Sequence, residues 1–373
     1  MKFLDLTWQF DQIEGLGEKI VELVRKGTLV LSDEVTRFEN LWAGYIGSKY
    51  CVGLNSGTDA LTLALKAGGI KKGDRVLVQT NTFASTVYAI VQNGGIPVFL
   101  DIDSRYGCLD RKDLEKKVKS AKPKAMIMVH LYGGAFFASQ IADMARKDNI
   151  LLIEDCAQAH GAKWKDKKAG TFSDISCFSF FPSKNLGATG DAGCICTDNS
   201  DYAEKVLMYR NIGSKMKNVH ELEWGTNSRL DALHALVLTE KLKFLDKWNE
   251  KRRRIAQRYR TALSKLPLFI YHEHPEAYHV YHQFVVMAKN RQKVMDHLRS
   301  HNIPVLIHYP TACHKQKAFK QYAHGSLPVS EKIIEHHFSL PMSPHLTQRE
   351  VDLVCEKLAE VLENEEEFKP LYR

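Results

Sequence analysis

The chain has no run of 18 or more apolar residues, so nothing in it reads as a membrane-spanning helix. Its first stretch, MKFLDLTWQFDQIEG, carries acidic residues and no apolar core of the kind a secretory leader needs, so a cytoplasmic protein is expected. None of its eight cysteines (Cys51, Cys108, Cys156, Cys177, Cys194, Cys196, Cys313 and Cys355) forms a C-x-x-C pair. They read as buried, reduced thiols, and no zinc site or other metal is expected. Internal repeats and low-complexity segments are absent. No helix-turn-helix or aromatic RNA-binding signature accompanies the one dense basic run, KRRR at 251–254. That run is read as a solvated helix face, and nucleic acid is not expected as a partner. The net charge of +8 then suits an anionic small molecule as well as any other partner.

What is present is an ordinary globular composition, 44% apolar and 26% charged, over 373 residues, which is enough for two domains. Short apolar runs rich in β-branched residues recur at 50–54, 75–79, 96–101, 125–131, 150–155, 174–180 and 192–197. They read as buried strands. Helical segments such as TDALTLALKAG and ASTVYAIVQNG, each closed by glycine, lie between the earlier ones. This alternation predicts an α/β fold with a mostly parallel seven-stranded sheet flanked by helices. Ahead of it, LSDEVTRFENLWAGYIG predicts a helix capped by Ser32, with Val35, Phe38, Leu41, Trp42 and Tyr45 on one face. From Leu230 a long helical stretch leads into shorter strands and a final helix opened by a capping box, Thr347 to Glu350. The expected division is a large domain over 1–240 and a smaller α+β domain over 241–373.

Three segments carry chemistry. In ILLIEDCAQAHGA a buried strand ends at Asp155, where open α/β sheets bind ligands; a helix-capping aspartate is the alternative. NSGTDAL follows a strand and opens a helix, so the amides of Gly57 and Thr58 and the Thr58 hydroxyl could hold a phosphate. The same junction could exist for capping alone. In SFFPSKNLGATGDAG, Ser179 ends a strand and Lys184 follows five residues later. A lysine at the sheet mouth, near a carboxylate and a phosphate cradle, suggests a Schiff base with pyridoxal 5′-phosphate (PLP).

Together and in this order, NSGTDAL, EDCAQAHGA and FSFFPSKNLGATGDAG resemble the nucleotide-sugar aminotransferases of the DegT/DnrJ/StrS family, which are fold-type I PLP enzymes. The resemblance implies that Lys184 is the Schiff-base lysine and the proton carrier. It implies Asp155 as partner of the pyridine nitrogen and Gln158 as partner of the ring hydroxyl. Gly57, Thr58 and Ser179 match phosphate ligands, and Phe83 matches the aromatic over the ring face. Asn227, in GTNSRLD, matches a residue that reaches the phosphate of a neighbouring subunit, which implies a homodimer with shared sites. IHYPTACHKQKAF matches the sugar-side loop, making His308, Tyr309 and His314 candidate substrate contacts. The histidine-rich YHEHPEAYHVYH fits no usual zinc spacing. His234 departs from the family pattern and is read as helix packing. Some relatives carry histidine at the Lys184 position and dehydrate their substrate, so lysine here supports transamination.

The implied activity is amino transfer from L-glutamate to a nucleotide-linked keto-deoxysugar, with pyridoxamine 5′-phosphate formed between the half-reactions. NSGTDAL and NSRLDAL look most like relatives acting at carbon 3, so a dTDP-3-keto-6-deoxyhexose is expected. A UDP-linked 3-keto sugar, a carbon-4 ketone, and a non-catalytic PLP-binding regulator are the alternatives.

Overall fold

The computed structural model of the chain describes residues 1–216 and 218–370. Its centre is a seven-stranded sheet of β1 (Tyr50–Leu54), β2 (Arg75–Gln79), β3 (Ile96–Leu100), β4 (Ala125–Val129), β5 (Leu151–Asp155), β6 (Ile175–Ser179) and β7 (Gly193–Thr197). The spatial order is β1-β7-β6-β5-β4-β2-β3. Every neighbouring pair is parallel except those made by β7, which runs antiparallel to both β1 and β6. Each expected strand is present within a residue or two of its expected bounds. Reversal of β7 has one consequence for the site: its first residue, Gly193, lies opposite both Leu54 and Ser179. Three chain segments therefore meet at the carboxyl edge of the sheet.

Successive side chains on a strand point to opposite faces, so each strand feeds two cores. The chain opens with α1 (Leu6–Phe10) and α2 (Leu16–Lys26), and Leu77, Met126, Leu152 and Phe178 pack on one side with Phe38 and Trp42 of α3 (Asp33–Ile46). Val76, Ile127, Ile153 and Ile195 pack on the other with α4 (Gly57–Ala67) and α5 (Ala84–Gln92). Both faces are covered, which is why the strands read as near-continuous apolar runs rather than as alternating ones. A third core lies over a three-stranded sheet that includes Phe284–Met287 and His337–Leu340, and it holds Tyr259, Phe284, Leu298, Phe338 and Leu358. Residues from this later part, among them Tyr271, Met287 and Cys313, also pack into the second core.

The structure revises several local expectations. Ser32 occupies the N-cap position of α3, but its side chain makes no capping hydrogen bond. Leu41 is exposed, and Ala43 and Ile46 complete the buried face instead. The helical stretch after Leu230 is two helices, Ala232–Leu242 and Leu245–Leu263, broken at Lys243 and Phe244. Phe244 turns its ring to stack on Trp248, with centroids 5.6 Å apart. KRRR is not a solvated face. Arg252 is buried and donates to the carbonyls of Tyr281 (3.1 Å) and Met342 (2.8 Å). Lys251 places its ammonium 4.8 Å from the Trp8 ring, and Arg254 alone of the four is well exposed beside Glu250. No helix among the described residues is long and apolar enough to cross a membrane.

Candidate active site

A cavity of about 380 Å³ opens at the carboxyl edge of the sheet. Its floor is the end of β5. Asp155 is buried there, and its carboxylate accepts from the Thr86 hydroxyl (2.8 Å) and the Ala157 amide (3.1 Å). Burial pushes its pKa above the usual aspartate value. Those two bonds and the nearby Lys184 and His130 pull the other way. Behind it, Glu154 is also fully buried but saturated with donors. Its oxygens face His130 Nε2 (2.8 Å) and accept from the Gly170 amide (2.8 Å), the Phe172 amide (2.9 Å) and the Ser173 hydroxyl (2.9 Å). Burial alone would raise Glu154, but these bonds hold it below the usual glutamate value.

Lys184 reaches the same cavity from the loop after β6. Its ammonium is enclosed by protein apart from the cavity itself, and this burial lowers its pKa to about 8 against the opposing pull of Asp155. The loop is fixed residue by residue. The Lys184 amide donates to the Phe181 carbonyl (2.8 Å), and Ala188 donates to Phe180 (2.7 Å). Asn185, the next residue, donates to Asn249 Oδ1 (2.8 Å) and the Val280 carbonyl (3.0 Å), and accepts from His282 Nδ1 (3.1 Å). The buried Lys241 donates to the carbonyl of Gly187 (2.9 Å). A Cβ on Gly187 would lie 2.3 Å from the Pro182 carbonyl oxygen, so only glycine permits this fold-back. His234 lies against the same loop: a Cβ on Gly190 would come within 3.0 Å of its ring. That is the packing role expected of it.

One wall of the cavity is the start of α4. Ser56 caps the helix by accepting from the Asp59 amide (3.1 Å). The Thr58 hydroxyl donates to Ser85 Oγ (2.8 Å). Gly57 packs so closely on Ser179 that a Cβ there would lie 2.6 Å from the serine Cβ. Helix dipole, free amides and two hydroxyls thus converge on one wall of the cavity. On the opposite wall, Gln158 accepts from the Tyr132 amide (2.6 Å) and donates to the Tyr309 hydroxyl (3.0 Å). Tyr309 lies 5.4 Å from Phe83, centroid to centroid. Phe83 is 54% exposed at the mouth.

The fold therefore brings Gly57, Thr58, Phe83, Asp155, Gln158, Ser179, Lys184, His308 and Tyr309 to one cavity. Two expected residues lie elsewhere. His314 is buried away from it, with Nδ1 2.6 Å from Thr80 Oγ1 and Nε2 3.1 Å from Glu331. Its ring joins two segments and offers no free nitrogen to a substrate. Asn227 is exposed, pairs by its backbone with Asn211, and does not line this chain's cavity. Motif reading missed Thr86, His130, His282 and Gln283, which also line the cavity. Their signal is adjacency across the sheet and not spacing along the chain.

A cofactor of the PLP type fits this donor set. The start of α4 brings its first amides and the Thr58 hydroxyl beside Ser179 on one wall, Asp155 supplies a buried carboxylate, and Lys184 supplies an amine of lowered pKa.

Comparison with known proteins agrees. The profile described as "DegT/DnrJ/EryC1/StrS aminotransferase family" matches residues 12–359. A dTDP-3-amino-3,6-dideoxy-alpha-D-galactopyranose transaminase of Aneurinibacillus thermoaerophilus is 41% identical over 95% of this chain and 97% of its own. A UDP-N-acetyl-3-dehydro-alpha-D-glucosamine 3-aminotransferase of Acidithiobacillus ferrooxidans is 38% identical over 91% of this chain and 90% of its own. The crystal structure of S. venezuelae DesV, in complex with a ketimine intermediate, superposes with a TM-score of 0.94. The two are 35% identical, over 97% of this chain and 98% of that one.

Proposed function

The chain belongs to the DegT/DnrJ/EryC1/StrS aminotransferase family, and from that premise we propose that it moves the amino group of L-glutamate onto carbon 3 of a dTDP-linked 3-keto-6-deoxyhexose. It is a PLP-dependent aminotransferase of the fold-type I class. The balanced reaction is keto sugar plus glutamate giving amino sugar plus 2-oxoglutarate. When bound, PLP supplies the carbonyl that carries the amino group and a ring that accepts the electron pair left at carbon.

One observation carries the reading: Lys184 and Asp155 share a cavity with the cradle formed by Gly57, Thr58 and Ser179. Lys184 would anchor the cofactor. Its amine, neutral above about pH 8, is suited to take a proton from the donor carbon and return one to the sugar carbon. Asp155, held by Thr86 and Ala157, would face the ring nitrogen and keep it protonated. Gln158, fixed by Tyr132 and Tyr309, would meet the ring hydroxyl. His308 and Tyr309 lie on the wall left for the sugar. The same residue performing both proton transfers suits a ping-pong cycle.

A homodimer in the cytoplasm, with Asn227 completing the partner's phosphate site, belongs to the same proposal. Its support is the exposed position of Asn227 and the large apolar side chains left uncovered at the mouth, Phe83 and Phe181.

The test is ¹⁵N-labelled glutamate with a panel of dTDP- and UDP-linked 3-keto and 4-keto sugars, read by mass spectrometry. The label should appear first and fastest on the dTDP-3-keto-6-deoxyhexose. Preference for a UDP sugar or a carbon-4 ketone would overturn the sugar assignment, and label on none of them would overturn the reaction.

A further inference from the structure

Three cysteines that are distant in sequence converge at the edge of the central sheet, away from the cavity. Cys51 on β1 lies directly opposite Cys196 on β7, and Cys194 shares their face two residues along, opposite Gly53. The alternation of strand side chains explains the convergence. Cys194 and Cys196 belong to the core under α3 and Cys51 packs against it, whereas Val52, Leu54 and Ile195 face the other core. The three sulfur atoms all lie within 4.8 Å of one another. For three sulfurs at that limiting separation the common centre is 4.8/√3, about 2.8 Å, from each, against about 2.3 Å for a zinc–sulfur bond. In a tetrahedral site with such bonds three sulfurs stand about 2.2 Å from the axis through the ion, so closing the triangle needs movements of about 0.6 Å or less per sulfur.

The surroundings suit a cation. Asp198 lies near Cys196, while Glu39, near Cys51, is already paired with Arg210 (2.6 Å). Ser48 lies within hydrogen-bonding reach of Cys196. Cys51 is only partly buried, which gives an ion a route in. Two other groups of potential ligands are less apt. In the group of His130, Glu154 and Cys156, the Glu154 oxygens are already taken by four donors. The group of His297, His301 and Glu360 is largely solvated and lacks sulfur.

We propose that Cys51, Cys194 and Cys196 form a binding site for one thiophilic divalent cation of the zinc and cadmium class, with the Ser48 hydroxyl or a water in the fourth position. Thiolate ligands and fourfold coordination select this class over magnesium or calcium. Binding forms three metal–sulfur bonds and releases the thiol protons of the ligands to solvent. The ion clasps the edge strand β1 to β7. Those two strands lead to Ser56 and Gly193, which touch at the phosphate cradle: a Cβ on Gly193 would lie 2.4 Å from the Ser56 carbonyl carbon. Occupancy therefore stabilises the fold around the cofactor site without taking part in the reaction.

The experiment titrates Cd²⁺ into reduced holoenzyme and follows the ultraviolet thiolate-to-cadmium charge-transfer band, proton release and the melting temperature. The band should saturate at one ion per chain, with proton release and a higher melting temperature. Cys51→Ser and Cys196→Ser should each abolish it. Cys355→Ser, at the other partly buried cysteine, should leave it intact. Should Cys196→Ser fail to fold, Cys51→Ser at the sheet edge carries the test alone. No band in the wild type, or an undiminished band in Cys51→Ser, overturns the proposal.

Discussion

At the scale of single residues, the site pairs an amine and a carboxylate that burial pushes toward their neutral forms. Burial favours the neutral amine of Lys184, so its pKa falls from 10.5 to about 8. The neutral fraction is nearly complete above that value and falls about tenfold per pH unit below it. Apoenzyme should therefore capture PLP at a rate that climbs between pH 6 and pH 8 and levels off beyond. Stopped-flow absorbance measures this directly, and a flat profile would contradict the assignment. Thr86 offers a second test, because its hydroxyl is one of the bonds that oppose the upward shift of Asp155. Thr86→Val should raise Asp155 further and lower kcat, with little change in KM. A hydrogen bond to a charged group is worth about 1.5–3 kcal/mol, or about 10- to 100-fold in rate. Steady-state kinetics separates the two parameters. That Lys184, Asp155 and Gln158 meet at one cavity was legible in the sequence, because their motifs follow strand ends. Thr86 was not, because it meets Asp155 from 69 positions away, across the start of α5. His314 failed for the same reason in reverse: its motif is right, but Thr80 and Glu331, from distant segments, claim both its nitrogens.

At the scale of elements, the seven strands were legible because most of their residues are buried on both faces and so read as near-continuous apolar runs. The break at Lys243 and Phe244 was hidden because neither residue is a helix breaker; the stacking of Phe244 on Trp248 favours the bend. Arg252 was hidden too, since helix periodicity says which face turns inward but not that Tyr281 and Met342 wait there with free carbonyls. Arg252→Met keeps much of the packing volume and removes both donors. Each carbonyl left unpaired costs about 1–3 kcal/mol, so urea denaturation should show a clear loss of stability. An unchanged midpoint would show that water replaces the guanidinium. At the start of α4, Gly57→Ala forces a Cβ to within 2.6 Å of Ser179. Either α4 or β6 must shift, and PLP affinity, measured by equilibrium dialysis, should fall by an order of magnitude or more. Retained affinity would mean that the cradle lies elsewhere.

At the scale of the whole molecule, residues 255–362 carry a third core of their own. Its ties to the large sheet through Tyr271, Met287 and Cys313 were not visible in sequence patterns, because they depend on which faces meet after folding. The proposed dimer has its own test. Chains carrying Lys184→Ala and chains carrying Asn227→Asp should each be poorly active alone. Mixed after unfolding and refolding together, they should regain activity, because one site in each hybrid then holds an intact Lys184 and an intact Asn227. No recovery in demonstrably mixed dimers would mean that each chain builds its site alone.

The most direct measurement of the central claim is borohydride reduction of the PLP-loaded enzyme followed by peptide mapping. The account predicts one phosphopyridoxyl group per chain, on Lys184, and none after prior exchange with excess glutamate. A label on another lysine, such as the buried Lys241 beside the same loop, or no label at all, would contradict it.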